Sequence, residues 1–454
     1  MSDKPIIYIA YNWVGPVGPI GNIRTPDIYD LALSENYDFL TQHYASGAAK
    51  ETFGPNCADY GPRTGANFQI TAAAGLKPED TFLYPITLGH KDPMQMLFDG
   101  VFGIFERSRI PRRTLELIRH CKGYIVLEHG FEAFVTDSEI DVIHNYMDMH
   151  QIPMNKVIYA TGTGNIKEVY DSYCQRKNIP DEKRIRFVRF YPTMESFAYN
   201  ETNDPHEVEY DPDYMPSKTF LSLNLRPRQH RTLLIGMFEK YGLLDKSYFS
   251  YAGLRHGERL TGMLDMNHLQ ALNLDQEIYE RLETRMSDFV LDHDQPESIV
   301  DVVYDIGNHD TVAPFYNDSL VSIATETTFH THIMAVTEKS FKGIKYKSPF
   351  ILIGAQGLLQ NIRDLGYQTF EEFWDEGYDD IHNPNKRLQR VVQICQEIDA
   401  WSEADRKEFR HKVKPILEHN YQRLIENPFS DVYKDMYQYV LEDREKLIIT
   451  EDIR

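Results

Sequence analysis

Residues 123–130 read Gly-Tyr-Ile-Val-Leu-Glu-His-Gly, a short apolar run that stops at an acid, a histidine and a glycine. A strand buried on both faces has this pattern, because helices cover each side of a parallel α/β sheet. A helix follows. Thr136 and Glu139 stand three apart, the spacing of a capping box, ahead of Ile140, Ile143 and Met147 on one helical face. Lys156 to Ala160 reads as the next strand, running into Thr161-Gly162-Thr163-Gly164-Asn165 and a helix to about Arg176, with Ile185 to Phe190 as another strand. This alternation predicts a doubly wound parallel sheet.

The pattern extends both ways. Towards the N-terminus, Pro5 to Tyr11 is a β-prone run that meets Asn12-Trp13-Val14-Gly15-Pro16-Val17-Gly18-Pro19-Ile20-Gly21-Asn22. Such a loop can neither continue a strand nor start a regular helix. It sits at the carboxyl end of a first strand, where open α/β sheets receive ligands. It is neither G-x-G-x-x-G nor a P-loop, so Gly15 and Gly18 are candidates for close backbone approach to an acceptor. Towards the C-terminus, residues 199–217 are polar, acidic and proline-bearing, which suits a linker. Alternation resumes with strands at Thr219 to Leu225, Tyr248 to Tyr251, Leu320 to Ala324 and Pro349 to Gly354. Helices are expected at about Gln229 to Tyr241 and Glu338 to Tyr346. From about Asn385 the chain is helical and amphipathic, with Ser402 as an N-cap.

The expected organisation is an N-terminal Rossmann-like acceptor domain over residues 1–200 and a linker over 201–217. A C-terminal Rossmann-like donor-binding domain over 218–384 and C-terminal helices over 385–454 complete it. The chain is long enough for two cores at 454 residues, and 42% hydrophobic residues supply the material for them. No run approaches the roughly 20 apolar residues that span a bilayer, and the N-terminus lacks the pattern of a signal peptide. A soluble, cytoplasmic protein is the expectation. Cys57, Cys121, Cys174 and Cys395 lie far apart without a C-x-x-C pair, which fits free thiols rather than structural zinc. A net charge of -21 gives no global attraction to polyanions, so any such partner needs a local basic patch. Two segments could supply one: Arg107, Arg109, Arg112, Arg113, Arg119 and Lys122, and Arg176, Lys177, Lys183, Arg184, Arg186 and Arg189.

The chemistry concentrates in two places. A strand delivers Glu326 at its end, and Thr337-Glu338-Lys339 then opens a helix ahead of the next strand. Backbone N–H groups and Lys339 suit a diphosphate, and a carboxylate can accept from ribose hydroxyls. The run Leu223-Asn224-Leu225-Arg226-Pro227-Arg228-Gln229-His230-Arg231 places three arginines and a histidine where a strand turns into a helix, an anion site by charge and position. Pro227 falls near the first helical turn, where its missing N–H costs nothing. His330 and His332 stand two apart. On a strand both would face one way, but no acid follows at metal spacing, so no metal site is expected. Phe370 to Tyr378 reads as a packed, acid-rich helix or loop.

The segment from about residue 318 to 356 resembles the donor-binding block of GT-B glycosyltransferases, especially the α1,3-fucosyltransferase type. That block has a strand ending in Glu, then Thr-Glu-Lys opening a helix, then an apolar strand with Pro and Gly. The resemblance implies an α/β fold of two Rossmann-like domains facing across a cleft, with Glu338 on the ribose, Lys339 on the diphosphate and Glu326 at the donor sugar. In that fold an arginine at the position of Arg226, Arg228 or Arg231 contacts the diphosphate. One departure stands out: the family has Asn after its first Glu, and this chain has Thr327. The arginine run is also similar to that of sugar-transferase-like proteins of large tailed phages.

A glycosyltransferase moving a sugar from a nucleotide-diphosphate-sugar to a hydroxyl acceptor is therefore the expected function. The donor is a co-substrate; no permanently bound cofactor is expected, and the sequence does not require a divalent metal. Glu128 and His129, ending a strand of the first domain, are the candidate catalytic base, with Asp99 behind them. The phage-like resemblance implies a hydroxymethylated cytosine in double-stranded DNA as acceptor, gripped by Arg109, Arg112 and Arg113. The fucosyltransferase-like block implies a glycan on a polysaccharide or lipid instead. The alternative class is a non-catalytic two-lobed nucleotide- or sugar-binding protein. An oxidoreductase is disfavoured because no dinucleotide fingerprint is present.

Overall fold

The computed structural model describes residues 6–11, 68–72, 75–87, 112–129, 136–189, 191, 209–224, 228–251, 266–285, 309–426 and 438–441. The chain divides into two units, one of Met1–Tyr199 with Asn427–Arg454, the other of Asn200–Glu426.

The first unit holds six strands: β1 (Ile7–Tyr11), β2 (Phe68–Ala72), β3 (Phe82–Thr87), β4 (Gly123–His129), β5 (Val157–Thr161) and β6 (Arg186–Arg189). They form one sheet in the order β2-β1-β3-β4-β5-β6, with every pair parallel. The order reverses between β1 and β3, so the switch point lies at the carboxyl end of β1. Helices α1 (Arg112–His120), α2 (Asp137–Met149) and α3 (Ile166–Lys177) join these strands. Each packs an apolar stripe on the sheet: Leu117 and Ile118 from α1, Ile140, Ile143 and Met147 from α2, and Ile166, Tyr170 and Tyr173 from α3. The Thr136–Glu139 capping box is present as read from the sequence. Gly123 opens β4 opposite Phe82 of β3, and a Cβ there would sit 2.3 Å from the Phe82 ring. The glycine thus lets a fully buried aromatic lie over the neighbouring backbone.

The second unit carries β7 (Lys218–Ser222), β8 (Ser247–Phe249), β9 (Ser319–Thr325) and β10 (Phe350–Ile353) in the order β10-β9-β7-β8, again all parallel. Its switch point falls between β7 and β9. The helices here are α4 (Gln229–Lys240), α5 (Met266–Ala271), α6 (Gln276–Thr284), α7 (His309–Asn317), α8 (Glu338–Lys345), α9 (Leu358–Asp364), α10 (Pro384–Asp399) and α11 (Glu403–Glu426). Two parallel, doubly wound sheets are the α/β architecture that the alternating runs predict.

The segment expected as a linker is fastened at its end to the second unit. Tyr214, Ser217 and Tyr248 all donate to the Asp318 carboxylate. Arg410 of α11 donates to the Asp211 carbonyl and covers the Tyr210 ring. The C-terminal helices divide: α10 and α11 belong to the second unit, and residues 427–454 are grouped with the first. There the Arg186 guanidinium donates to the Tyr439 carbonyl at 2.7 Å. Phe370, Trp374 and Tyr378 of the acid-rich run are buried. Cys121, Cys174 and Cys395 are free thiols, and Cys57 lies outside the described residues. Among the described residues no helix is long and apolar enough to cross a membrane.

Two outcomes test this packing. Gly123→Ala should lower stability by about 1–3 kcal/mol through overpacking, and Phe82→Leu in the same chain should recover part of the lost melting temperature. The second concerns Asp379, buried where its carboxylate accepts from Leu359 N and Gln360 N at the start of α9. Burial pushes its carboxyl up to about 6, against the pull of those N–H groups. A raised folded value means stability present below the unfolded value near 3.8 and lost as pH rises through about 6. Asp379→Asn should therefore gain on the parent as pH climbs from 4 to 7, by up to about 3 kcal/mol. A melting-temperature difference that does not vary with pH contradicts this.

Candidate active site of the second unit

Three strand ends meet at the carboxyl edge of the second sheet. β7 leads through the buried Asn224 to Arg228, which stands in extended backbone at the N-cap of α4. β9 leads into Glu326 and then to Thr337, the N-cap of α8. β10 leads through Gly354 to Gly357, whose positive φ of 81° starts α9. The two helix starts that carry the cations, α4 and α8, thus follow the two strands flanking the switch point. Strand order dictates this juxtaposition, since a crevice opens where consecutive crossovers diverge.

Buried hydrogen bonds lock the β7 and β9 ends together. Thr325 Oγ1 donates to Asn224 Oδ1 at 2.6 Å, while Asn224 N donates to Ser250 Oγ and Asn224 Nδ2 to Ser222 Oγ. Arg231 Nη2 donates to the Thr325 carbonyl at 2.8 Å, and the adjacent His230 Nε2 donates to the Glu326 carbonyl at 2.9 Å. A carbonyl only accepts, so Nε2 of His230 carries the proton. Burial, then the neighbouring Arg231, push His230 well below its ordinary value, and the ring is neutral. Burial also lowers Arg231, to about 10, where it keeps its charge at neutral pH.

The Glu326 carboxylate is fully buried and engaged inside the protein. It accepts from Thr337 N at 2.9 Å, Thr337 Oγ1 at 2.6 Å and Ser340 Oγ at 2.6 Å. The residue expected at the donor sugar instead holds the first turn of α8 against the end of β9. Glu338 and Lys339 follow, half-buried. Lys339 Nζ donates to Thr337 Oγ1 at 3.1 Å and forms an ion pair with Glu338 Oε1. Burial works to raise the Glu338 carboxyl, but Lys339 and Lys342 outweigh it and hold the group at about 2. The arrangement is an acid and an amine, each the other's partner, at the positive end of a helix.

The remaining sequence candidates fall as follows. Arg228 is exposed beside this site. Glu128 and His129 end β4, in register with Ala160 and Thr161 of β5, at the carboxyl edge of the first sheet. Arg112 and Arg113 are exposed at the start of α1, where Arg113 Nη2 donates to the Leu76 carbonyl. Gly15, Gly18, Asp99, Arg109 and Arg226 lie outside the described residues. Several members of the two basic segments have partners. Arg119 pairs with Glu116, Arg176 with Asp137, Lys177 with Asp141, and Arg184 with Asp171 and Asp181. The segment containing His330 and His332 is a run of bends, so the strand spacing that would point both rings one way is not there. Among the described residues no group of three or more His, Cys, Asp or Glu is placed to hold a metal ion.

No family model matches the chain, and no curated protein does. Among solved structures it is similar to an α,α-trehalose-phosphate synthase (UDP-forming) from Burkholderia vietnamiensis. Identity is 13%, with a TM-score of 0.36 over 82% of this chain and 76% of the other. An OtsA apo structure is 11% identical, with a TM-score of 0.36 over 93% and 97%. Likeness at that level bears on neither fold nor function, which rest on the strand order and side chains above.

Residues from distant segments also meet at this edge. Arg387, the fourth residue of α10, is buried and donates to the carbonyls of Gly354, Ile381 and Phe329 at 3.1, 2.6 and 2.7 Å. It clamps the β10 end and the loop after β9 to α10. The only sequence signal was Asn383-Pro384, a helix start that fixes where Arg387 lies on α10 but not what it touches.

The buried role of Glu326 gives a prediction. Glu326→Ala removes the acceptor of three donors and should cost about 3 kcal/mol, read as a lower denaturant midpoint. Unchanged stability would mean that the start of α8 is held by something else.

Proposed function

We propose that this chain is a GT-B-type glycosyltransferase that binds the diphosphate of a nucleotide-sugar at the carboxyl edge of its second sheet. The observation that carries the proposal is the joining of two cation-bearing helix starts across the switch point, with Arg228 and Arg231 from α4 and Glu338 and Lys339 from α8. Helix starts offer unpaired N–H groups and positive potential to a phosphate, and the cations add charge-assisted bonds. When an acceptor hydroxyl attacks the anomeric carbon, the bond to the diphosphate breaks and negative charge grows on the leaving oxygen. Arg228 and Lys339 are suited to stabilising that charge. Arg231 is buried on Thr325 O and supports from below. A ribose diol accepted by Glu338 and a phosphate met by Lys339 would replace the ion pair that these two side chains make with each other. Glu128 or His129 at the end of β4 is our candidate for receiving the acceptor proton.

For the acceptor we favour an uncharged glycan hydroxyl over a hydroxymethylated cytosine in duplex DNA. The pairing of Arg176, Lys177 and Arg184 with neighbouring carboxylates supports this reading, because it withdraws cations that a duplex would need. Transfer to a DNA acceptor that weakens steeply with salt and depends on Arg112 and Arg113 would reverse the choice.

Arg228→Ala and Lys339→Ala should each weaken binding of a nucleoside diphosphate about ten- to a hundredfold, with the melting temperature unchanged. Calorimetric titration with UDP, GDP and ADP, followed by turnover of the matching sugar donors, tests this. Parent-like affinity in both variants removes the donor-site assignment. Tight binding without any hydrolysis or transfer of the sugar would favour a non-catalytic binding protein.

A further inference from the structure

Beside the two helix starts lies a block of rings that the donor-site reading does not use. His230 stacks on Phe329 with ring centroids 5.0 Å apart, and the Arg387 guanidinium lies over Phe329 at 4.8 Å. His330 stands at the solvent edge of this block, 4.9 Å from Phe329 and 6.4 Å from His230. His268 of α5 completes it, its ring 5.4 Å from that of His330. The His268 Nδ1 bonds to Asn385 Oδ1 at 2.7 Å, and since that oxygen only accepts, Nδ1 carries a proton. The ring is thereby turned by a partner on α10, and its Nε2 remains for a second function.

The charged and titratable groups around His330 come from every element packed on it. From α5 this is His268, from α10 Arg387, on which Asp379 also acts, and from α4 His230, which in turn faces Arg231 and Arg228. The nearest acid of its own loop, Glu326, turns its carboxylate onto Thr337 and Ser340. Desolvation, His268 and Arg387 together push the His330 imidazole below its ordinary value, so in the free protein it is neutral at pH 7. Beside His268 and Arg387, the His330 imidazole resists protonation until an anion arrives. An incoming dianion reverses that balance and turns His330 into a cationic donor, with the His268 ring beside it.

We propose that His330 and His268 form a proton-coupled clamp for a phosphate-bearing ligand at the carboxyl edge of the second sheet, so that binding takes up protons from solvent. The clamp rests on the donor-site reading for the presence of a phosphate, but not on any identity of nucleotide or sugar. In that setting it favours capture of the anion as pH falls and release as pH rises. Because His330 is exposed and no hydrogen bond from its ring is seen among the described residues, His330→Asn should leave the fold intact. His268→Asn is the second variant, with Asn385 still able to pair.

Inorganic pyrophosphate is the probe, titrated calorimetrically into parent, His330→Asn and His268→Asn at pH 6, 7 and 8. The ionisation of pyrophosphate itself cancels in the ratio of parent to variant affinity at each pH. The expected result is a parent that binds about tenfold tighter than His330→Asn at pH 6, with the ratio falling towards one at pH 8. Heats measured in buffers of different ionisation enthalpy should show net proton uptake by the parent and less by either variant. A ratio that stays constant with pH, or equal proton uptake in all three proteins, overturns the clamp while leaving the donor site standing. Absence of pyrophosphate binding by the parent at every pH overturns the anion site itself, and the clamp with it.

Discussion

The second unit depends on one buried carboxylate. Glu326 leaves β9 and is satisfied at once by a backbone N–H and two hydroxyls from the start of α8. A carboxylate in a dry interior is tolerable only when its lone pairs are met, and removing any partner leaves a costly unpaired group. The bond set therefore fixes α8 in one position relative to the sheet. With α8 fixed, Glu338 and Lys339 stand at the edge where β7 and β9 diverge, and the site acquires its shape.

A second layer of bonds ties this corner to α4. His230 and Arg231 are neighbours in sequence, and each reaches across to a carbonyl at the end of β9. The arginine donates to the Thr325 carbonyl, and the histidine beside it stays neutral to donate to the next. Arg387 performs a similar task from α10, holding three carbonyls at loop ends. Cations thus act in two ways in this unit. Buried ones brace loop backbone, while Arg228 is exposed and Lys339 is half-buried in an ion pair with Glu338.

That distinction is what separates legible from illegible in the sequence. The arginine run from Arg226 to Arg231 was readable as a charged helix start, and α4 does begin there. Which of its cations is buried was not readable, because helical phase relative to the sheet depends on where β9 lies. Glu326 was legible as an acid at a strand end, and its distance from Thr337 and Ser340 was not, since a loop of ten residues separates them. The bends around His330 escaped for a related reason. A two-residue spacing reads as a strand, but the backbone here leaves the sheet at Glu326, and Phe329 is drawn in by Arg387.

The sequence by itself determined the architecture. Apolar runs, caps such as Thr136 with Glu139, and breaks at glycine and proline are local, so periodicity and cap chemistry suffice to predict two doubly wound sheets and to find β1 and β4 to β10, while β2 and β3 went unread. It also located the two cation-bearing helix starts, because clustered cations at a helix start are local features too. Only the tertiary structure decided strand order, and with it the switch points. These arise from the direction in which each crossover turns, a choice settled by packing between residues far apart in the chain. The same packing assigned Glu326 to the framework, left Arg228 exposed, and brought His268, His330 and Asn385 together from three separate elements.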